Sequence, residues 1–156
     1  MWMLWTVLLV LLPAGQDQHQ VMNDRGAIAM GFDQEKTAHH FLLFTDGGAI
    51  DIAVKDPHDA KDRDAIRAHL PHIAMMFGNG DFDVPMLVHD TKDVPGVKLL
   101  SERKGAIVYR YNETTAGGRV DIMTADPQAL TALHAFLRYQ IREHRTGDPD
   151  IVTPRR

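Results

Sequence analysis

A stretch of eleven residues recurs without gaps seventy positions further along the chain. Gly47 to Pro57 align on Gly117 to Pro127, keeping a Gly-Gly pair, an Asp-Ile pair and an Asp-Pro pair in place. With the offset reduced by three residues, Ala65 to Leu70 fall on Ala132 to Leu137, and Gly80-Asp81 fall on Gly147-Asp148. Each copy has the grammar of two strands and a helix. A unit that small has an apolar face it cannot cover alone, so the two copies are expected to share one core. A chain of 156 residues is long enough to bury such a core and short enough to be one domain.

In the first copy His39 to Phe44 read as a strand, Asp46-Gly47-Gly48 as a tight turn, and Ala49 to Val54 as a half-buried strand by their alternation. Asp56-Pro57 is the expected helix start, and Ile66, Leu70, Ile73 and Phe77 recur at helical spacing up to Gly78-Asn79-Gly80. The second helix carries its stripe on Leu130, Leu133, Leu137 and Ile141. The expected fold is α+β, a duplicated ββα unit. Its four-stranded antiparallel sheet has two helices, about 59–77 and 128–144, on one face. A short extra strand is expected at Pro85 to His89. A hairpin turning about Gly47-Gly48 pairs Leu43 with Ile52 and Phe41 with Val54. That puts His39 on the core side and leaves His40, Leu42, Phe44, Asp51 and Ala53 on the uncovered face. Two large apolar residues there point to a homodimer contact.

The ends carry other signals. Residues 1–15 read as a signal peptide: the run from Met1 to Leu12 is apolar except for Thr6, and Pro13 stops it well short of the roughly 20 residues a membrane span needs. Export to the periplasm or beyond is therefore expected, without a stable membrane anchor. Residues 16–36 are polar and aperiodic and read as a segment leading into the domain, 37–148 as the domain, and 149–156 as a C-terminal tail. The formal net charge of −4 argues against a nucleic-acid binder. The absence of cysteine excludes disulfides, thiolate nucleophiles and thiolate metal sites.

Nine histidines stand out in a chain of this size. His39 and His40 are neighbours on a strand and face opposite ways, so they are not a chelate. On the first helix His69, His72 and Met76 share one arc, at the border of the apolar stripe. Met86 and His89, spaced M-x-x-H, can add ligands after the helix. Imidazole and thioether together suit copper, and imidazole alone also suits zinc. The expected metal set is His39, His69, His72, Met76, Met86 and His89, with copper before zinc. His39 should approach His69 or His72 beneath the helix, and Pro71 can kink that helix.

Other chemistry finds less support. Gly78 to Asp83 lack the length and terminal glutamate of a calcium loop. Gly117-Gly118 has no phosphate-binding context. Ser101 is the lone serine and is not in G-x-S-x-G, which removes Ser-His-Asp hydrolysis. Asp81, Asp83, Asp90 and His89 leave a small Asp/His-dependent enzyme as the third reading.

Met30 to Gln34, Thr37 to Phe41, Ile66 to Leu70 with His72 to Ala74, and Gly80 to Asp83 with Val88-His89 resemble a small family of exported bacterial proteins whose function is not established. The resemblance covers most of Arg25 to Asp148. It implies Met30, His39, His40, His69, His72 and His89 as recurring residues and assigns no catalytic role; Pro71 departs from it. Some members carry the label aspartate carbamoyltransferase, but the S-T-R-T phosphate loop of that enzyme is missing from this chain. The leading expectation is a small exported, non-catalytic metal-binding protein for copper. The alternative is a dimerising module that binds a ligand or protein without metal.

Overall fold

The computed structural model describes residues 17–155. The signal-peptide expectation falls on 1–15 and so lies outside the described residues. The elements run α1 (Gln18–Met30), β1 (Thr37–Phe44), β2 (Gly47–Val54), α2 (Ala60–Gly78), α3 (Asp83–His89), α4 (Val97–Glu102), a 3₁₀ turn (Lys104–Ala106), β3 (Ile107–Thr114), β4 (Gly117–Thr124) and α5 (Pro127–Glu143). The four strands form one antiparallel sheet in the order β1-β2-β4-β3, so the fold is α+β as the sequence implies.

The repeat is visible in the strand register. Thr37 pairs with Val54 in the first hairpin, and Ile107 pairs with Thr124, seventy positions on, in the second. The two hairpins join through β2 and β4, with Ile50 opposite its own counterpart Val120. Each helix then covers the other half's hairpin, α2 lying mainly on β3 and β4 and α5 mainly on β1 and β2. This exchange is why neither half can bury its face alone. Ile66, Leu70, Ile73 and Phe77 of α2 meet Leu133, Phe136, Leu137 and Ile141 of α5 over Phe41, Ile50, Ile52, Val120 and Ile122 of the sheet.

The first hairpin differs from the expected register. Its two-residue loop is Thr45-Asp46, so Leu43 lies opposite Gly48 and His39 opposite Ile52. The glycines serve close packing between the halves instead of the turn. A Cβ on Gly47 would stand 1.9 Å from the Ile122 carbonyl oxygen, and one on Gly117 would stand 2.1 Å from that of Ile52. Because the displacement along the strand is an even number of residues, the faces are unchanged and His39 stays on the helix-covered side.

Three local expectations are corrected. Residues 18–30 of the polar leader form a helix, α1, capped by Asp17, whose side chain accepts from the His19 N–H, and closed by left-handed Gly31. It shows no amphipathic period because only Met22 and Gly26 are buried. Pro85 to His89 belong to the short helix α3 and form no strand: Asp90 caps it in the left-handed conformation, and Pro85 sits in its first turn. The N-cap of α2 is Asp59, which accepts from the Asp62 N–H, whereas Asp56 holds the preceding turn. Asp126 and Pro127 do cap α5.

The C-terminal segment is docked on edge strand β1. The Thr153 N–H donates to the Leu43 carbonyl and the Thr45 N–H to that of Thr153. On the uncovered sheet face, Leu42 and Phe44 are only partly exposed. Arg155 places its guanidinium 4.5 Å from the centre of the Phe44 ring. No helix among the described residues is long and apolar enough to cross a membrane.

Candidate functional site

Beneath α2 and α5, at the β1 end of the core, lies a cavity of about 60 Å³. Four histidines from four separate elements line it: His39 of β1, His69 of α2, His89 at the end of α3, and His144 just past α5. Met30, the last residue of α1, completes the polarisable groups, and the rest is apolar apart from Gln140.

Each histidine is put there by ordinary rules. His39 is on the core side because it shares parity with Phe41 and Leu43. His69 precedes the fully buried Leu70 and borders the α2 stripe, in a helix that runs unbroken through Pro71. His89 ends α3, whose Val88 is buried. His144 extends the α5 stripe by one more helical step after Leu137 and Ile141.

The rings are close to one another. His144 lies 5.6 Å from His39, nearly parallel, and 5.1 Å from His89, edge to face. Phe32 touches two of the set, with its ring 5.9 Å from His39 and 5.8 Å from His69. Gln140 organises His89: an amide oxygen only accepts, so His89 donates through Nε2 to Gln140 Oε1 at 2.9 Å. In the neutral ring this fixes the proton on Nε2 and leaves a lone pair on Nδ1, which is buried with no protein partner. His39 Nε2 is likewise buried and unpartnered.

Burial keeps these rings uncharged. His39 is pushed down to about 4, first by desolvation and then by His40, His69 and Lys55. His69 is pushed down to about 4 by desolvation and by His72. His144 lies well below the ordinary histidine range through desolvation, then His39, His89 and His19. Desolvation lowers His89 too, against the opposing effect of the hydrogen bond that it donates to Gln140. At neutral pH the cavity therefore presents neutral imidazoles, the form that binds metals.

Of the sequence-expected ligands, the structure gathers His39, His69 and His89. His72 is exposed, because it lies beyond the cavity side of α2. Met76 and Met86 are partly buried fillers of the main core and do not line the cavity. His144 and Met30 were not placed at this cavity by sequence reasoning; the continuation of the α5 stripe was the available signal for the first. His40 is bound to Asp148 at 2.8 Å, and His134 donates to the Phe44 and Gly47 carbonyls, so both have structural partners. Among the described residues no three histidine or carboxylate side chains already form a cluster that could hold one ion. The rings line a shared cavity, and closing them on an ion requires rotamer changes. No family model, curated protein or solved structure matches this chain.

Proposed function

We propose that this chain is a small exported metal-binding protein, with copper as its metal and without catalytic turnover. One observation carries the reading. Four neutral imidazoles from separate elements line one small cavity, with His39 Nε2 and His89 Nδ1 buried and unpartnered. A buried nitrogen without a partner costs about 1–3 kcal/mol, so coordination there relieves a penalty the fold already bears. The Gln140 bond to His89 is the outer-shell support that metal-binding histidines ordinarily have.

Titration of the purified chain with copper under competition by a chromophoric chelator tests this. One equivalent should bind, and His39→Ala with His89→Ala should abolish it while the protein stays folded by circular dichroism. Absence of binding at micromolar copper overturns the reading.

Self-association is the second reading. It rests on Val108, 54% exposed on the sheet face that the helices leave uncovered, with Leu42 and Phe44 on that same face. The Leu42→Lys, Phe44→Lys double variant should then be monomeric by sedimentation and retain metal binding.

A further inference from the structure

We infer that the cavity is built for a univalent soft cation, Cu(I), in preference to Cu(II) or Zn(II), and that Met30 is a residue that sets this selectivity. The inference rests on the metal-binding reading above and concerns the charge of the ion.

Among the described residues that line the cavity, none is a carboxylate; the polar members are His39, His69, His89, His144 and Gln140, all neutral. Glu143, the acid that acts on His89, is exposed and outside the lining, while Lys55 and Arg25 bring positive charge toward His39 and His89. The cost of moving an ion from water into a medium of low polarity rises with the square of its charge, so a divalent ion costs about four times as much as a univalent one. Neutral ligands do not cancel that second charge.

Coordination preference argues the same way. Cu(II) favours a tetragonal set that includes oxygen donors; a soft thioether selects Cu(I), whereas imidazole serves copper and zinc alike, so the thioether is the ligand that separates the two ions. Among the described residues of the lining the one side-chain oxygen is Gln140 Oε1, which already accepts from His89; Phe41, Ile50, Ile52, Ile73 and Val88 offer none. Two imidazoles and a thioether can satisfy Cu(I) in such a place.

Among the described residues, Met30 is the only sulfur in the lining. Its terminal methyl lies over Gly26, where an added Cβ would stand 3.1 Å from Met30 Cε, so the glycine gives the side chain its room.

The test is a competition series on the purified chain under anaerobic conditions, using Cu(I) buffered by bathocuproine disulfonate, then Ag(I), then Zn(II). Cu(I) should bind at least on the order of a hundredfold more tightly than Zn(II), with Ag(I) following Cu(I). Met30→Leu, close in volume and so expected to fold, should weaken Cu(I) by about tenfold and leave Zn(II) unchanged. Gln140→Glu keeps the acceptor for His89 and adds a negative charge, so it should narrow the gap between the two ions. Zn(II) binding within tenfold of Cu(I), or a folded Met30→Leu variant with an unchanged Cu(I)-to-Zn(II) ratio, overturns the inference while leaving the metal-binding reading intact. If no metal binds at all, both fall.

Discussion

His89 donates its Nε2 proton to Gln140 Oε1 across 2.9 Å, from the end of α3 to the last full turn of α5. That single bond decides which nitrogen of His89 can act as a ligand. Gln140→Leu removes the acceptor and should lower metal affinity by about 10- to 100-fold, the usual effect of losing an outer-shell partner. The same change should cost about 1–2 kcal/mol of stability in urea unfolding, because His89 Nε2 is then left without its partner. Unchanged metal affinity in a folded Gln140→Leu chain would show that His89 is no ligand.

Gly47 and Gly117 test the two-fold arrangement. Each passes against the other half's backbone, where a Cβ would lie 1.9 Å and 2.1 Å from a carbonyl oxygen. Neither strand can move without breaking the central β2 and β4 pairing. Gly47→Ala and Gly117→Ala should each destabilise by more than about 3 kcal/mol in chemical denaturation. Gly105→Ala is the control: an added Cβ there meets nothing within 4 Å, and stability should stay within about 0.5 kcal/mol.

The repeat made the sheet, its partner helices and the side facing each helix legible, because strand alternation and helical stripes report burial directly. Register was harder. Gly47-Gly48 has the composition of a turn, yet its glycines answer to β4 and Leu137, which are distant in sequence. Face assignment survived since the displacement was even, and so His39 was placed correctly beneath the helices. The leader escaped as a helix because α1 buries too little to show a period. His69 and His72 illustrate the limit for the site. They share an arc on the helix, and whether one or both meet the cavity depends on how α2 leans on the sheet, which no local pattern encodes. His144 sits one step past the helix proper, where a reading by boundaries stops.

The cavity histidines make stability depend on pH in a definite direction. His39 and His69 are held near 4 in the folded chain against 6.5 when unfolded. Between those values the unfolded chain binds protons that the folded chain refuses, so stability is fully present above about pH 6.5 and is lost as pH falls toward 4. His39, partly exposed as a residue but with its Nε2 out of reach of solvent, should account for about 2–3 kcal/mol across that window. Urea unfolding at pH 7.5 and at pH 5 should show the loss, and His39→Phe should reduce it, His69 and His144 supplying what remains. A protein equally stable at both values would contradict the buried, neutral placement.

Arg155 ties the chain's end to the sheet. Its Nε reaches both Asp46 carboxylate oxygens at 3.0 and 3.1 Å, Nη1 reaches Asp121 at 2.7 Å, and Nη2 donates to the Ile122 carbonyl at 3.0 Å. The guanidinium plane also covers Phe44. A lysine keeps the charge but has no fork with which to hold two carboxylates and a carbonyl at once. Arg155→Lys should therefore lose most of what Arg155→Ala loses, about 1–3 kcal/mol. Both substitutions bare Phe44 beside Leu42 and free the segment that pairs with the β1 edge through Thr153. An uncovered edge and an enlarged apolar face favour association between copies. Sedimentation velocity should then show a larger dimer fraction for Arg155→Ala than for the parent chain at equal concentration, and adding Phe44→Lys should reverse it. If Arg155→Ala stays as monomeric and as stable as the parent, the segment is an ornament on the β1 edge and not its cover.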